Sequence, residues 1–521
     1  MEVTRQIALR NDTFMDSKLP KTAAEYLAIR DTFAVELRKK KRMDQAHFKR
    51  LKLAACLLPI SFEQVLASLQ AYNLSSVKAL RQYLCSPPLN FELICKSCPE
   101  VVKELAMGFR SGKEELVLES CWCLTNLALG PPGLVDDIAE LVPEVCGYIL
   151  RVTSKIIAEQ CCWLLGNLAA ESLRVRDKIK EVCGLLTGIC NLFRFNNPSL
   201  SSVACWTLCN LIRSQSPDSS IFVEAGAVTP VLEYMHRPES TDLCTDSLWF
   251  LSYLTVNTGP EVVQSVMLDR HMYRLVELLS SCAEVAVRVP ILRIVGNVIT
   301  YGANPAAVMR FARLREALLT CACGDVMEIQ REAFWLLSNA FGKSFQYTEW
   351  FLEHTNGKLL VEKLARSMDY EADNDLKLES CIALYNLAEG NRSAYIGTVL
   401  SIGGTDLIDA ICKNLGDMPT WFFLQVQGIS DIDRLLTSIG LLHLSLEFAA
   451  ACTLYPGPDQ VEVHLLHKLQ SAETFSCIET FALQYAGRET HLGASETFMK
   501  DMCADLLRRF YSEYTSEVVL S

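Results

Sequence analysis

A chain of 521 residues, 50% hydrophobic and 21% charged, is too long for one ordinary core and too apolar for disorder, so it is several domains or an array that grows by stacking. The net charge of −12 is uneven: Arg30, Arg38, Lys39, Lys40, Lys41, Arg42, Lys49, Arg50 and Lys52 outweigh Asp31, Glu36 and Asp44 to give a local +6, leaving −18 for the remainder. An acidic body with a basic arm excludes nucleic-acid binding by the body and suits a basic peptide there, with an acidic partner for the arm.

In chain order, the start "MEVTRQIALRNDTF" has no apolar signal region, and no run reaches the length of a membrane span. The chain therefore reads as soluble and intracellular, without membrane insertion. No Pro or Gly interrupts the arm after Pro20, so a helix is expected from about Ala23 to Lys52. The 22 cysteines fit a reducing compartment, most at helix-core positions such as Cys121, Cys161, Cys205 and Cys381. "CKSC", Cys95 to Cys98, has no second pair and no His at ligand spacing, so no metal is expected.

"ESCWCLTNLALG" then opens a series. At 100° per residue, Glu119, Trp122, Asn126 and Leu129 share one face of a helix while Cys121, Leu124, Leu127 and Ala128 lie opposite, so one side packs and the other presents Trp and Asn. The pair recurs as Trp163 and Asn167, Trp206 and Asn210, Trp249 and Tyr253, Arg293 and Asn297, Trp335 and Asn339, and Ile382 and Asn386. The steps between first members are 41, 43, 43, 44, 42 and 47, the range of helical solenoids with two or three helices per repeat. "IFVEAGAVTPVLEYM" supplies a glycine turn at Gly226 followed by a new apolar helix, as a three-helix unit requires. Stacking would align the Trp and Asn faces into one groove on a concave surface.

The ordered variants, WxxxN first, then "WFLSY", then "LRIVGN", make the sequence resemble importin-α, the armadillo-repeat nuclear import adaptor. "SSVKALRQYLCSPPLNFELICKS" is similar to that family's first repeat and "ASETFMKDMCADLLRRFYSE", 494 to 513, to its last. "FAVELRKKKRMDQAHFKRLK", 33 to 52, is similar to its importin-β-binding segment. The resemblance implies an all-α, right-handed superhelical armadillo solenoid of about nine to ten repeats over 70–515, behind a basic arm over 1–60. It implies shuttling between cytoplasm and nucleus, with basic signal-bearing cargo, importin-β and an export receptor at the C-terminal repeats as partners.

An Asn amide can pair with both C=O and N–H of an extended peptide, and Trp faces make slots for Lys or Arg stems, each worth about 0.5 to 2 kcal/mol. By resemblance, Trp122, Asn126, Trp163, Asn167, Glu171, Trp206, Asn210, Asp246 and Trp249 form the larger localisation-signal site. Arg293, Asn297, Glu332, Trp335, Asn339, Glu379 and Asn386 form the smaller. Arg38, Lys39, Lys40, Lys41, Arg42, Lys49 and Arg50 would bind importin-β, with the end of the arm folding back as an autoinhibitor. The chain departs from the family at Glu171, where an aspartate is usual, and at Ile382, where Trp is expected. It departs again at Leu129, Pro131 and Pro132 in place of small hydroxyl residues, and at Leu51 inside the second basic cluster. Altered signal selectivity is the expected consequence.

No P-loop, GxSxG or HExxH occurs and the eight histidines are scattered, so neither catalysis nor a cofactor is expected. "DIDR", Asp431 to Arg434, reads as a surface charge pair in a degenerate eighth repeat. The competing reading is a non-transport armadillo scaffold, which predicts a basic groove and no basic arm.

Overall fold

The computed structural model describes residues 60–389 apart from 70–71, 86–90, 214–218, 237–240, 257–258, 303 and 368–373. The arm residues Arg38 to Arg50, the 494–513 segment, "DIDR" and the side chains of Cys381 and Ile382 lie outside this description. The described residues form α-helices and a single 3₁₀ turn at Phe193–Phe195.

After a leading pair, Phe62–Leu69 and Leu74–Leu84, the helices come in threes that each end in a long one. Phe91–Ser97 and Val101–Arg110 lead to Glu114–Leu127; Pro132–Ala139 and Val142–Arg151 lead to Lys155–Glu171; Leu173–Lys180 and Leu185–Leu192 lead to Pro198–Ile212. Ser220–Glu224 and Val228–Met235 lead to Thr241–Leu254, and Pro260–Val266 and Asp269–Ser281 to Val285–Tyr301. Pro305–Met309 and Ala312–Cys323 lead to Met327–Lys343, and Phe345–Leu352 and Gly357–Arg366 to Asn374–Glu389.

Local chemistry sets these boundaries. Pro132, Pro198 and Pro305 open helices at a position whose N–H would be unpaired in any case. Asn73, Asn197 and Asn304 cap the helices they precede by accepting from exposed backbone N–H groups. Gly226 has φ +81 between Ser220–Glu224 and Val228–Met235, the left-handed turn its position demanded.

The contacts divide the chain into two compact units, between His271 and Met272. Within the first, the long helices pack in sequence: Leu74–Leu84 on Glu114–Leu127, that on Lys155–Glu171, that on Pro198–Ile212, and that on Thr241–Leu254. Within the second, Val285–Tyr301 packs on Met327–Lys343, and that on Asn374–Glu389. A long helix with neighbours on both sides buries most of its circumference. Cys121, Cys161 and Cys205 are accordingly buried, with Cys121 Sγ 3.9 Å from Cys161 Sγ as reduced thiols stacked across repeats. The middle helices are joined by tyrosines: Tyr148 and Tyr234 each donate a hydroxyl to a carbonyl one repeat earlier, Phe109 and Phe193, both at 3.2 Å.

Candidate functional site

The anchor positions occupy equivalent places on successive long helices. In the first unit Trp122 and Trp163 are half-buried, Trp206 is 7% exposed and Trp249 is wholly buried. The asparagines are deeper than the helical-wheel reading had them. Asn126, Asn167 and Asn210 are 1%, 6% and 3% exposed, because each lies where two long helices meet.

The amide groups make bonds across that junction. Asn167 Nδ2 donates to the Thr125 carbonyl at 2.9 Å and Asn210 Nδ2 to the Gly166 carbonyl at 3.0 Å, each reaching one repeat back. Thr207 Oγ1 donates likewise to the Cys162 carbonyl at 2.7 Å. Asn126 has only the weak acceptor Cys85 Sγ at 3.8 Å for its Nδ2, and its Oδ1 has no hydrogen-bond partner. Part of the Asn donor capacity thus holds repeat to repeat, and the site side chains that reach the surface are Trp122, Trp163, Glu171 and Asp246.

Of those acids, Glu171 is exposed as the last residue of Lys155–Glu171. A negative charge there opposes the helix dipole, at about 0.3 to 1 kcal/mol for an exposed site, so an incoming cation would find it favourable to approach. Asp246 is half-buried and accepts from Ser202 Oγ at 3.4 Å. Glu119 is nearly buried and pairs with Arg81 Nε, whose guanidinium carbon stands 4.8 Å from the Trp122 ring centroid. Where the family's small hydroxyls were expected, Pro131 and Pro132 start the next helix.

In the second unit Arg293 forks onto Glu332, Nη2 to Oε1 at 2.8 Å and Nε to Oε2 at 3.2 Å, with side chains 12% and 1% exposed. Asn297, Trp335, Asn339, Glu379 and Asn386 are all buried. Asn386 Nδ2 donates to the Ser338 carbonyl at 2.7 Å, repeating the bond made by Asn167 and Asn210. Both amide atoms of Asn339 are buried with no hydrogen-bond partner. The two sets of anchor residues therefore fall one in each unit.

The sequence reading passed over two features. Arg81 and Cys85 stand one 41-residue step before Trp122 and Asn126, so extending the series backwards would have found an eighth anchor, with Arg first as at Arg293. The glycine before Asn167 and the one before Asn297 are also part of the arrangement. A Cβ on Gly166 would lie 2.2 Å from Trp206 Cζ3, and one on Gly296 2.4 Å from Trp335 Cζ3. Each Trp ring of the following repeat is seated on bare backbone.

Among the described residues no group of His, Cys, Asp and Glu could hold a metal ion, and no helix is long and apolar enough to cross a membrane. Three-helix repeats at this period, stacked through their third helices, define an all-α armadillo-repeat solenoid. An engineered protein of known crystal structure shares the fold, with a TM-score of 0.62 and 16% identity over 86% of this chain and 98% of its own.

No family model matches the chain. Its curated homologues are importin-α subunits, at 24–30% identity over up to 76% of the chain, which makes it a divergent relative of that family. Importin subunit alpha-9 of Arabidopsis thaliana is 26% identical over 341 residues, 62% of this chain and 63% of that protein. Importin subunit alpha-2 of Oryza sativa subsp. japonica is 24% identical over 414 residues, 76% of this chain and 73% of its own. Importin subunit alpha-1b of Oryza sativa subsp. japonica is 29% identical over 260 residues, and the chain spans only 47% of its length, as it spans 63% of importin subunit alpha-9.

Proposed function

We propose that the chain is a nuclear import adaptor that holds basic localisation signals along its long helices and is carried by importin-β through its N-terminal arm. The supporting observation is the register of charge and aromatic surface: the half-buried Trp122 and Trp163 lie at equivalent places on successive long helices, a place that the more deeply buried Trp206 and Trp249 take on the next two, and Glu171 and Asp246 share those helices. A lysine stem lying on an indole with its ammonium beside a carboxylate is the contact this arrangement favours. The similarity to importin subunits supports the same reading, with shuttling between cytoplasm and nucleus as its corollary.

The asparagines contribute differently from the sequence expectation. Asn167 and Asn210 each commit one N–H of the side-chain amide to the preceding repeat, which sets the spacing of the slots, and selection among peptides falls on indole faces and carboxylates. Variants for a binding test therefore belong at the half-exposed Trp163 and the exposed Glu171, where substitution leaves the repeat junctions intact.

Titration of a lysine-rich localisation peptide into the full chain, beside a Trp163→Ala, Glu171→Gln double variant, tests the cargo role. Micromolar or tighter binding that the variant weakens about tenfold, roughly 1.4 kcal/mol, is expected. Failure to bind, or equal binding by both proteins, returns the chain to the scaffold reading. For the arm, exchanging Lys39, Lys40 and Lys41 for Glu is expected to abolish importin-β binding while leaving the peptide titration in place.

A further inference from the structure

We infer that Arg81 is a resident occupant of the Trp122 slot, a built-in pseudo-ligand that removes the first cation position from the groove and shortens the basic peptide the chain can read. The inference rests on the cargo reading above and assigns a specificity role to a residue of the repeat before the groove.

Three observations place Arg81 there. Its guanidinium carbon is 4.8 Å from the centroid of the Trp122 ring, within cation–π range. Its Nε is hydrogen-bonded to Glu119, three residues before Trp122 on the same helix, so the same side chain also takes up the neighbouring carboxylate. The pair is withdrawn from solvent, with 14% and 11% of the two side chains exposed, against 41% and 60% for the adjacent Lys78–Glu115 pair.

Competition at this slot is unequal. A peptide lysine seeking the Trp122 face would have to break a largely desolvated ion pair and leave one of two cations unpaired in a poorly hydrated space, which is far costlier than disrupting an exposed pair. Two cations within a few ångströms of one another also repel.

The ion-pair part of the arrangement is built twice. Arg293 precedes Trp335 by 42 residues, as Arg81 precedes Trp122 by 41, and it pairs with Glu332, again three residues before the Trp. In each unit an Arg at an anchor position reaches forward one repeat to a glutamate, so an Arg in place of an anchor Trp supplies the next repeat with a cation of its own.

The test uses the full chain and two peptides, alternating lysine and arginine over two and over four dipeptides. The quantity read is the ratio of long-peptide to short-peptide affinity, which cancels the general gain in attraction when a positive charge is removed. The ratio is expected to rise about fivefold in Arg81→Ala over wild type, and to stay at the wild-type value in Arg81→Ala, Trp122→Ala. In parallel, NMR of arginine-labelled protein should show Arg81 side-chain protons moved upfield by the indole ring current. That signal is identified by its loss in Arg81→Lys, and its upfield shift should vanish in Trp122→Leu.

An unchanged ratio in Arg81→Ala, an equal rise in the double variant, or no ring-current shift overturns the inference. If none of the proteins binds either peptide, the cargo reading fails and takes the specificity role with it, whereas the ring-current result alone still decides whether Arg81 lies on Trp122.

Discussion

Asn167 and Asn210 each reach back one repeat to a backbone carbonyl, at 2.9 and 3.0 Å, in a setting almost closed to water. Removing the Asn167 amide takes the donor from the Thr125 carbonyl at the end of its helix, and Asn167→Ala is expected to destabilise the first unit by about 1 to 3 kcal/mol in chemical denaturation. Asn167→Ala without loss of stability would show that the bond contributes nothing net. His271, 1% exposed, offers a second residue-scale test. Arg270 Nε lies 3.2 Å from its Nε2, which must accept, so the proton sits on Nδ1 and is shared with His236 Nε2 at 2.8 Å. Burial first, then the charge of Arg270 and His236, lower its pKa from 6.5 to about 4. The unfolded chain therefore binds a proton that the folded one refuses between those values, and the stability from neutral His271 is full above about pH 6.5 and lost as pH falls toward 4. Melting is expected at lower temperature at pH 5 than at pH 7, with a smaller difference in His271→Gln. The anchor Trp and Asn positions were legible as a period, but their burial was not. A helical wheel treats the helix alone, and neighbouring helices on both sides close over the Asn that it leaves facing outward.

At the scale of elements, two of the long helices carry a Trp that rests on a glycine of the helix before it, Trp206 on Gly166 and Trp335 on Gly296. Gly166 has room for no Cβ, because Trp206 ring atoms stand 2.2 to 3.0 Å from where one would be. Gly166→Ala is thus expected to destabilise by about 1 to 3 kcal/mol through overpacking, despite alanine's better helix propensity, as read by urea denaturation. Combining it with Trp206→Leu should recover part of the loss. Helix boundaries followed from local signals such as Pro132, Pro198 and Gly226, which act within a few residues and so can be read from the chain. Arg81 escaped because its partners, Glu119 and Trp122, are about forty residues away and belong to the next repeat. The only trace in the sequence was that an Arg held the anchor position, and its meaning depends on what the following helix brings against it.

For the whole molecule, the proposed function depends on a division of charge: a basic segment of +6 and a remainder of −18. A groove that selects lysine through carboxylates and indoles should lose affinity several-fold as salt rises, since exposed charges are screened beyond about 10 Å at 0.1 M ionic strength. Salt-independent binding, read by titration at low and high salt, would point to an apolar partner surface. The period made the repeat architecture visible from sequence, while the assignment of the arm depends on residues outside the described structure. The most direct test of the central claim is photo-crosslinking of a lysine-rich localisation peptide, carrying a photoreactive group on one lysine stem, to the full chain, with the sites read by mass spectrometry. The account predicts crosslinks on Lys155–Glu171 and Pro198–Ile212, suppressed by excess unlabelled peptide and absent with an acidic peptide of the same length. Crosslinks confined to the first helices of the triplets, such as Leu173–Lys180, or equal labelling by the acidic peptide, would contradict it.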